Sequence, residues 1–255
     1  MTSEQVKEEK ESTDEVEGRE GEALLEVEGV TAGYGDIDVL FDASMQVNRG
    51  EFAVLIGPNG AGKTSLIRTI DGVIDPREGE VRFDGEEVTH LSPADMLAKG
   101  VSTVPQEGNI FTDMSVQDNL KMGAYTYGGP IEERLELVYD LFPILKERSD
   151  QEAGTMSGGQ RQMLAISRGT MVNPSMLVLD EPTAGLQPNL VTDVLEAIQT
   201  LKKEENLTIL LVAQTENAIP MADWGYLLRS GEIVVGDKAD RLLDNELVSD
   251  LYFGG

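Results

Sequence analysis

The chain of 255 residues contains no cysteine, one histidine and one tryptophan, and aromatic residues make up only 5% of it. Without cysteine, neither a disulfide framework nor a thiolate metal site can form. Positive charge is also scarce, because 20 lysine and arginine residues stand against 47 aspartate and glutamate residues, for a net charge of −27. A field of that sign repels the phosphate backbone of nucleic acids, so no nucleic-acid binding is expected. The acidic surplus, with only nine lysines, favours a halophilic protein that stays hydrated in high salt.

Long apolar runs are missing as well. The longest, 52–56 and 209–213, fall far short of the roughly 18 to 20 residues of a membrane helix, so no direct membrane insertion is expected. Residues 1–22 are rich in Glu, Lys, Ser, Thr and Gly and lack an apolar core, which predicts a disordered acidic tail rather than a signal peptide. The apolar content of 40% then predicts a compact body over residues 23–255.

Strand-like and helical segments alternate at both ends of this body. The middle, about 91–172, is more helical, and the spacing of Leu135, Val138 and Leu141 predicts one helix over 131–145. A helical insert between strand–helix repeats is typical of an α/β fold with a mostly parallel core that carries a helical lobe. Buried strands are predicted at 52–56, 176–180 and 208–212, and further helices at 160–171 and 191–201.

A phosphate-binding pattern follows the first buried strand. Residues 57–64 read GPNGAGKT and match G-x-x-x-x-G-K-[ST] between a strand and a helix. Glycines let backbone N–H groups turn toward phosphates, and the helix N-terminus adds a favourable dipole. Lys63 would reach the β and γ phosphates, and the Thr64 hydroxyl would hold Mg²⁺. The predicted phosphate-binding residues are Gly57, Pro58, Asn59, Gly60, Ala61, Gly62, Lys63, Thr64 and Ser65.

Two further signals come later in the chain. Residues 157–160, Ser-Gly-Gly-Gln, precede a predicted helix and form either an anion-binding mouth or a plain helix cap with a flexible loop. The apolar strand 176–179 leads into Asp180 and Glu181, and ligands of open α/β sheets bind at such strand ends. Asp180 would order Mg²⁺ and Glu181 would polarise the attacking water, unless the pair is an exposed acidic turn.

In this order, the three motifs resemble those of the ATP-binding cassette (ABC) family. Residues 57–64 are similar to its Walker A motif, 156–160 to its signature and 177–181 to its Walker B motif. The resemblance covers about 24–255. It implies an ABC ATPase that uses ATP and Mg²⁺, with a RecA-like, mostly parallel core, an antiparallel β subdomain and a helical subdomain at about 91–172.

The resemblance also implies roles for residues outside the three motifs. Gln106 resembles the Q-loop glutamine, which contacts Mg²⁺ and relays to a membrane subunit. Tyr34 resembles the aromatic residue that stacks on adenine, although an exposed turn tyrosine is the alternative. Two cassettes of this family pair head to tail, so each signature closes over the partner's nucleotide. The signature residues implied to do so are Ser157, Gly158, Gly159 and Gln160.

Three positions depart from the common family pattern. Met156 replaces the usual leucine of the signature, and Gln187 stands where many cassettes have aspartate. Gln214 stands where most cassettes place a histidine that touches the γ-phosphate, and the chain's histidine, His90, falls in a predicted loop. Glutamine donates a hydrogen bond but carries no proton charge. Catalysis would therefore rest on Glu181, with Lys63 and Gln214 assisting, and hydrolysis would be slow or partner-dependent.

Glutamine at this position also resembles cassettes of branched-chain amino-acid importers, as do residues 31–35, 111–123 and 251–255. The implied function is the ATP-hydrolysing subunit of such an importer, at the cytoplasmic face of the plasma membrane. Its implied partners are a second cassette in a heterodimer, two membrane-spanning permease subunits and an extracytoplasmic solute-binding protein. Residues 108–125 would either dock a permease or simply pack the helical lobe. Import of urea or short amides, a weakly catalytic regulatory subunit and a non-transport cassette remain as alternatives.

Overall fold

The computed structural model describes Arg19, residues 21–107 and residues 109–253, with side chains up to Ser249. Most of the predicted tail, 1–22, therefore lies outside the described residues, and so does Gly108. The chain divides into two compact units, one formed by Met1–Lys99 with Leu210–Gly255 and the other by Gly100–Ile209.

The strands and helices alternate through much of the chain. In chain order, the strands are β1 (Ala23–Tyr34), β2 (Ile37–Asn48), β3 (Phe52–Ile56), β4 (Glu78–Phe83), β5 (Glu86–Glu87), β6 (Val101–Val104), β7 (Met176–Asp180), β8 (Thr208–Ala213), β9 (Trp224–Arg229) and β10 (Glu232–Lys238). The helices are α1 (Lys63–Ile70), α2 (Pro93–Lys99), α3 (Val116–Gly123), α4 (Ile131–Leu141), α5 (Pro143–Glu147), α6 (Gly158–Thr170), α7 (Pro188–Glu205), α8 (Ala239–Leu242) and α9 (Glu246–Phe253). Short 3-10 helices lie at Ala153–Thr155 and Glu216–Met221.

The first unit contains an antiparallel sheet and a second, largely buried set of strands. The antiparallel sheet has the order β2-β1-β4-β5, and Val27 of β1 pairs with Met45 on one side and Val81 on the other. In the second set, β10, β9, β3 and β8 follow one another, with β9 parallel to β3 and antiparallel to β10. Every residue of β3 is buried, as its continuous apolar run predicts. Gly57 therefore follows directly after a fully buried strand.

The second unit contains β6 and β7 together with most of the longer helices. The two strands are parallel, with Val101 opposite Met176 and Val104 opposite Leu179. All residues of β7 are buried, which agrees with its apolar sequence. Strand β6 lies within the stretch that the sequence predicts to be more helical than the two ends. Its short run of two valines around Ser102 and Thr103 has no clear period, so pattern alone did not indicate it.

The single helix predicted over 131–145 is wrong in its extent. The structure ends α4 at Leu141, gives Phe142 a non-helical backbone with a φ of −129° and a ψ of 75°, and starts α5 at Pro143. Proline has no N–H to donate, and its ring disfavours a helical conformation for the residue before it. The helix therefore breaks at Phe142, and Pro143 serves as the first residue of α5.

A buried ion pair joins two helices of the second unit. Arg134 of α4 is 8% exposed, and its guanidinium donates to the Glu205 carboxylate on α7 and to the Thr170 carbonyl, each at 2.7 Å. A buried charge is tolerated when it is paired and hydrogen-bonded in this way. The pair thus connects α4 to the end of α7 and to the end of α6.

Arg19 packs against the first unit. Its guanidinium lies 3.8 Å from the centre of the Trp224 ring, donates to the Gln46 carbonyl at 2.6 Å and to the Tyr226 hydroxyl at 2.8 Å, and pairs with Glu51. These contacts tie Arg19 to β2 and β9. In the ranges that the structure describes, no helix combines the length and the apolar character needed to cross a bilayer.

Candidate functional site: a nucleotide-binding loop and two acidic and polar motifs

The phosphate loop runs from the end of β3 to the start of α1 and depends on two of its glycines. Gly62 caps α1 with a φ of 110°, which side chains of L-residues rarely adopt. Gly57 is needed for a different reason, because a Cβ atom there would lie 2.3 Å from the Leu228 carbonyl oxygen. The spacing of glycines that predicted the loop is therefore required by the backbone itself.

Lys63 turns back into this loop. The residue is 5% exposed, and its Nζ donates to the carbonyls of Gly57 at 2.8 Å and Pro58 at 3.2 Å. A buried ammonium needs such partners, and here they come from the loop. Thr64 is exposed in the first turn of α1, while Ser65 behind it is buried. An ammonium group and a helix N-terminus at one loop make a place where a polyphosphate anion is electrostatically favoured.

Tyr34 lies at the end of β1, where the chain turns into β2. Its side chain is 46% exposed, and its hydroxyl accepts a hydrogen bond from the Arg68 guanidinium of α1 at 3.0 Å. An exposed aromatic ring of this kind offers a face for stacking a base. An adenine-stacking tyrosine and a plain turn tyrosine would both be exposed, so the exposure does not separate the two interpretations. The hydrogen bond from Arg68 is a contact that neither interpretation predicted.

Gln214 follows β8 directly and is exposed. His90 is exposed in a turn, with its Nδ1 atom 3.4 Å from a carboxylate oxygen of Asp75. The prediction that His90 lies in a loop is confirmed.

The second unit holds the acidic pair and the Q-loop residue. Asp180 ends β7 and is buried, whereas Glu181 follows it with a φ of 49°, in the left-handed region. Non-glycine residues in that region are uncommon and often occur at functional positions. Gln106 donates from Nε2 to Oε2 of Glu181 at 3.1 Å. The structure thus brings together Gln106 and Glu181, which lie far apart in the sequence.

The Ser-Gly-Gly-Gln motif begins α6 through a capping box. The Ser157 hydroxyl accepts from the Gln160 N–H, and the Gln160 side chain accepts from the Ser157 N–H at 3.1 Å. Ser157 is exposed and Met156 before it is buried, so the methionine fills an apolar position, as leucine would. A capping box stabilises the start of a helix, and the exposed hydroxyl remains at a helix N-terminus that favours anions.

Sequence reasoning missed Asn119, which shapes the loop before α3. This side chain is fully buried, its Oδ1 accepts from the Phe111 N–H at 2.7 Å, and its Nδ2 donates to the Phe111 carbonyl at 2.9 Å. Phe111 is left 43% exposed, with the Arg168 guanidinium 4.9 Å from its ring centre. Burial lowers the pKa of Arg168. No local signal in the sequence indicated Asn119, because its partner Phe111 lies in a loop eight positions away.

Comparisons with known proteins agree with these motifs. The ABC transporter family model matches residues 40–184. The high-affinity branched-chain amino acid transport ATP-binding protein BraG of Pseudomonas aeruginosa is 41% identical over 91% of this chain and 100% of its own length. The probable branched-chain amino acid transport ATP-binding protein LivF of Archaeoglobus fulgidus is 35% identical over 91% of this chain and 99% of its own.

Solved structures agree on the fold. A nucleotide-free ATP-binding cassette from an ABC transporter matches with a TM-score of 0.81 and 27% identity, over 91% of this chain and all of that one. An ATP-binding cassette of an ABC transporter in its ADP conformation also matches with a TM-score of 0.81, at 28% identity over 91% of this chain and 99% of that one. The α/β cassette fold that the resemblance implies is therefore confirmed. The chain belongs to the ABC transporter family and is one of its ATP-binding cassettes.

Proposed function

We propose that the chain hydrolyses ATP and thereby powers an importer of branched-chain amino acids. The observation that carries the ATPase is the phosphate loop, in which Lys63 is held by the Gly57 and Pro58 carbonyls at the N-terminus of α1. The cargo is supported by relatives that are named branched-chain amino acid transport proteins, the first of them 41% identical over its whole length. That reaction assigns a task to each predicted residue.

In the proposed reaction, Glu181 acts as the general base that polarises the attacking water. An amide that donates to this carboxylate, as Gln106 does at 3.1 Å, limits the orientations that the carboxylate takes. Lys63 and the loop amides bind the β and γ phosphates, Gln214 donates a hydrogen bond to the γ-phosphate, and Tyr34 stacks on adenine. Positioning and charge stabilisation supply most of the rate enhancement in phosphoryl transfer, so these binding residues also serve catalysis.

The oxygen donors of the three residues implied to hold a metal are of the kind that Mg²⁺ prefers. Thr64 offers an exposed hydroxyl, Gln106 an amide oxygen and Asp180 a buried carboxylate at a strand end. Hard oxygen ligands, few of them from the protein, are what Mg²⁺ takes when substrate phosphates supply the others. We propose that these three residues hold the ion, which when bound would offset negative charge on the phosphates.

The proposed assembly has two cassettes, two permease subunits and an extracytoplasmic solute-binding protein, with the cassettes at the cytoplasmic face. Ser157, Gly158, Gly159 and Gln160 would act on the nucleotide of the second cassette, a related chain in a heterodimer. The segment 109–125 supports permease docking, because it exposes the apolar side chains of Phe111, Met122 and Tyr125. Tyr125 is 82% exposed, more than a residue that packs the lobe would be.

Purification of the tagged chain from native membranes in high potassium chloride tests the assembly. Mass spectrometry should identify two multi-span subunits, a second cassette and a binding protein, and the binding protein should then bind leucine in preference to urea. Recovery of the chain alone, or with partners that have no membrane spans, would refute the transport function and favour a regulatory subunit.

A substitution in the same complex tests the ATPase. Glu181→Gln should keep ATP binding and lower turnover by at least about 100-fold, the usual contribution of a general base. Glu196→Gln, an exposed acidic residue of α7 in the same unit, is the matched control and should leave turnover unchanged. Equal turnover in Glu181→Gln and the control would contradict the proposed role.

A further inference from the structure

We propose that Arg68 is a positioning residue that fixes the ring of Tyr34 for the base of the nucleotide. The proposal rests on the proposed function, because it assumes that Tyr34 stacks on adenine. Its starting point is the hydrogen bond from the Arg68 guanidinium to the Tyr34 hydroxyl at 3.0 Å, between residues 34 positions apart in the chain.

The guanidinium lies toward the hydroxyl end of the ring and does not cover its centre. Its central carbon is 5.9 Å from the centre of the Tyr34 ring, whereas Arg19 stacks over the Trp224 ring at 3.8 Å. At the larger distance, the guanidinium still attracts the ring while a direct hydrogen bond holds its oxygen. The contact therefore restrains the ring without taking the position that a stacked base would occupy.

This restraint matters because the ring is otherwise poorly held. Tyr34 is 46% exposed and ends its strand, so little packing limits the rotation of its side chain. A ring that must be ordered before it stacks on a ligand costs conformational entropy, and binding weakens accordingly. A partner that orders the ring in the free protein removes part of that cost.

The position of Arg68 adds a second consequence. Arg68 lies in the same helix, α1, whose first residues are Lys63 and Thr64. An α-helix rises 1.5 Å per residue and is stiff over this length, so one element sets both the phosphate-binding groups and the restraint on Tyr34. The helix thus fixes the distance between the groups that bind the two ends of ATP.

The test compares ATP with inorganic tripolyphosphate, which carries the phosphates and no base. Dissociation constants would be measured by calorimetry in high potassium chloride with magnesium for the wild type, Arg68→Ala, Tyr34→Phe and the double variant. Arg82→Ala is the matched control, because Arg82 is a partly exposed arginine of the first unit that pairs with Glu80. It changes the net charge by the same amount as Arg68→Ala.

Arg68→Ala and Tyr34→Phe should each weaken ATP binding by about two- to fivefold, the size of an exposed cation–π or hydrogen-bonded contact. Both should leave tripolyphosphate binding unchanged, and the double variant should lose no more than either single variant. Arg82→Ala should bind both ligands as the wild type does.

Three results would overturn the positioning role. These are an unchanged ATP affinity in Arg68→Ala, an equal loss for ATP and tripolyphosphate, and additive losses in the double variant. Wild-type protein that binds neither ligand would instead refute the proposed function itself, so the two failures are distinguishable.

Discussion

Replacing Tyr226 by phenylalanine removes one oxygen atom from a buried hydrogen-bond cluster of the first unit. Tyr226 is fully buried in β9, and its hydroxyl donates to the Gln46 carbonyl at 2.5 Å. The same hydroxyl accepts from the Gln46 N–H at 3.1 Å and from Arg19 at 2.8 Å. The phenyl ring fills the same space, so the substitution removes polar contacts and creates almost no cavity.

The expected cost follows from which groups lose their partners. Arg19 also donates to the Gln46 carbonyl at 2.6 Å, so the arginine and this carbonyl keep each other as partners. A net hydrogen bond contributes about 0.5–1.5 kcal/mol, and an unsatisfied buried group costs about 1–3 kcal/mol. We therefore expect Tyr226→Phe to lower the free energy of unfolding by about 1–2 kcal/mol at neutral pH.

The pH dependence of the free energy of unfolding provides a second, independent test of the Tyr226 hydroxyl. Burial raises the pKa of the Tyr226 hydroxyl above its ordinary value of 10.0, against the opposing charge of Arg19. A raised pKa in the folded state means that the stabilising contribution is complete below pH 10 and is lost as the pH rises above it. The stability difference between wild type and Tyr226→Phe should therefore narrow as the pH rises from 7.5 to 11.

Urea denaturation followed by circular dichroism, in high potassium chloride, measures both quantities. Lysine titration affects wild type and variant alike, so it cancels in the comparison. A loss below about 0.3 kcal/mol at neutral pH would mean that the hydroxyl contributes less than an ordinary hydrogen bond. A stability difference that stays constant or widens at pH 11 would refute the argument from burial.

Two further predictions concern the ion pair of the second unit and the residue after β8. Arg134→Met should lower the free energy of unfolding by about 2–4 kcal/mol, because Glu205 is left largely buried without its cation. The double variant Arg134→Met with Glu205→Leu should regain part of that loss in the same urea experiment. An equal or larger loss in the double variant would contradict this prediction. Gln214→Ala and Gln214→His should change ATP turnover more than ATP affinity, because the predicted hydrogen bond of Gln214 is to the γ-phosphate. Steady-state kinetics measures the turnover and calorimetry the affinity, and equal losses of both would contradict that role.

Much of the candidate site was predictable because its signals are local. The phosphate loop needs glycines at fixed spacing between a strand and a helix, and Gly57 and Gly62 meet that need through backbone geometry alone. The capping box at Ser157 and the break before Pro143 are equally local. The break before Pro143 was missed because the apolar periodicity continues across this proline. The effect of a proline on the residue before it should have taken precedence over that periodicity.

The contacts that join distant segments were not predictable in this way. The guanidinium of Arg68 could have faced water. Only the packing of α1 against β1 within the first unit brings it to Tyr34. Arg19 lies 207 positions from Tyr226, in a stretch whose composition indicated disorder. Composition reports how much apolar surface a segment can bury, and it does not report one stacking contact with a tryptophan.

Spacing and hydrophobic period were thus sufficient for the buried strands β3, β7 and β8 and for the glycine loop between β3 and α1, since each depends on neighbouring residues, whereas the family came from the resemblance of the three motifs taken together. Strand β6, the ion pair of Arg134 and the hydrogen bond from Gln106 to Glu181 became apparent only in the folded chain. The physical reason is that long-range pairing depends on which strands and helices pack together. That choice is made by the packing of the whole core and leaves little trace in the residues that happen to meet.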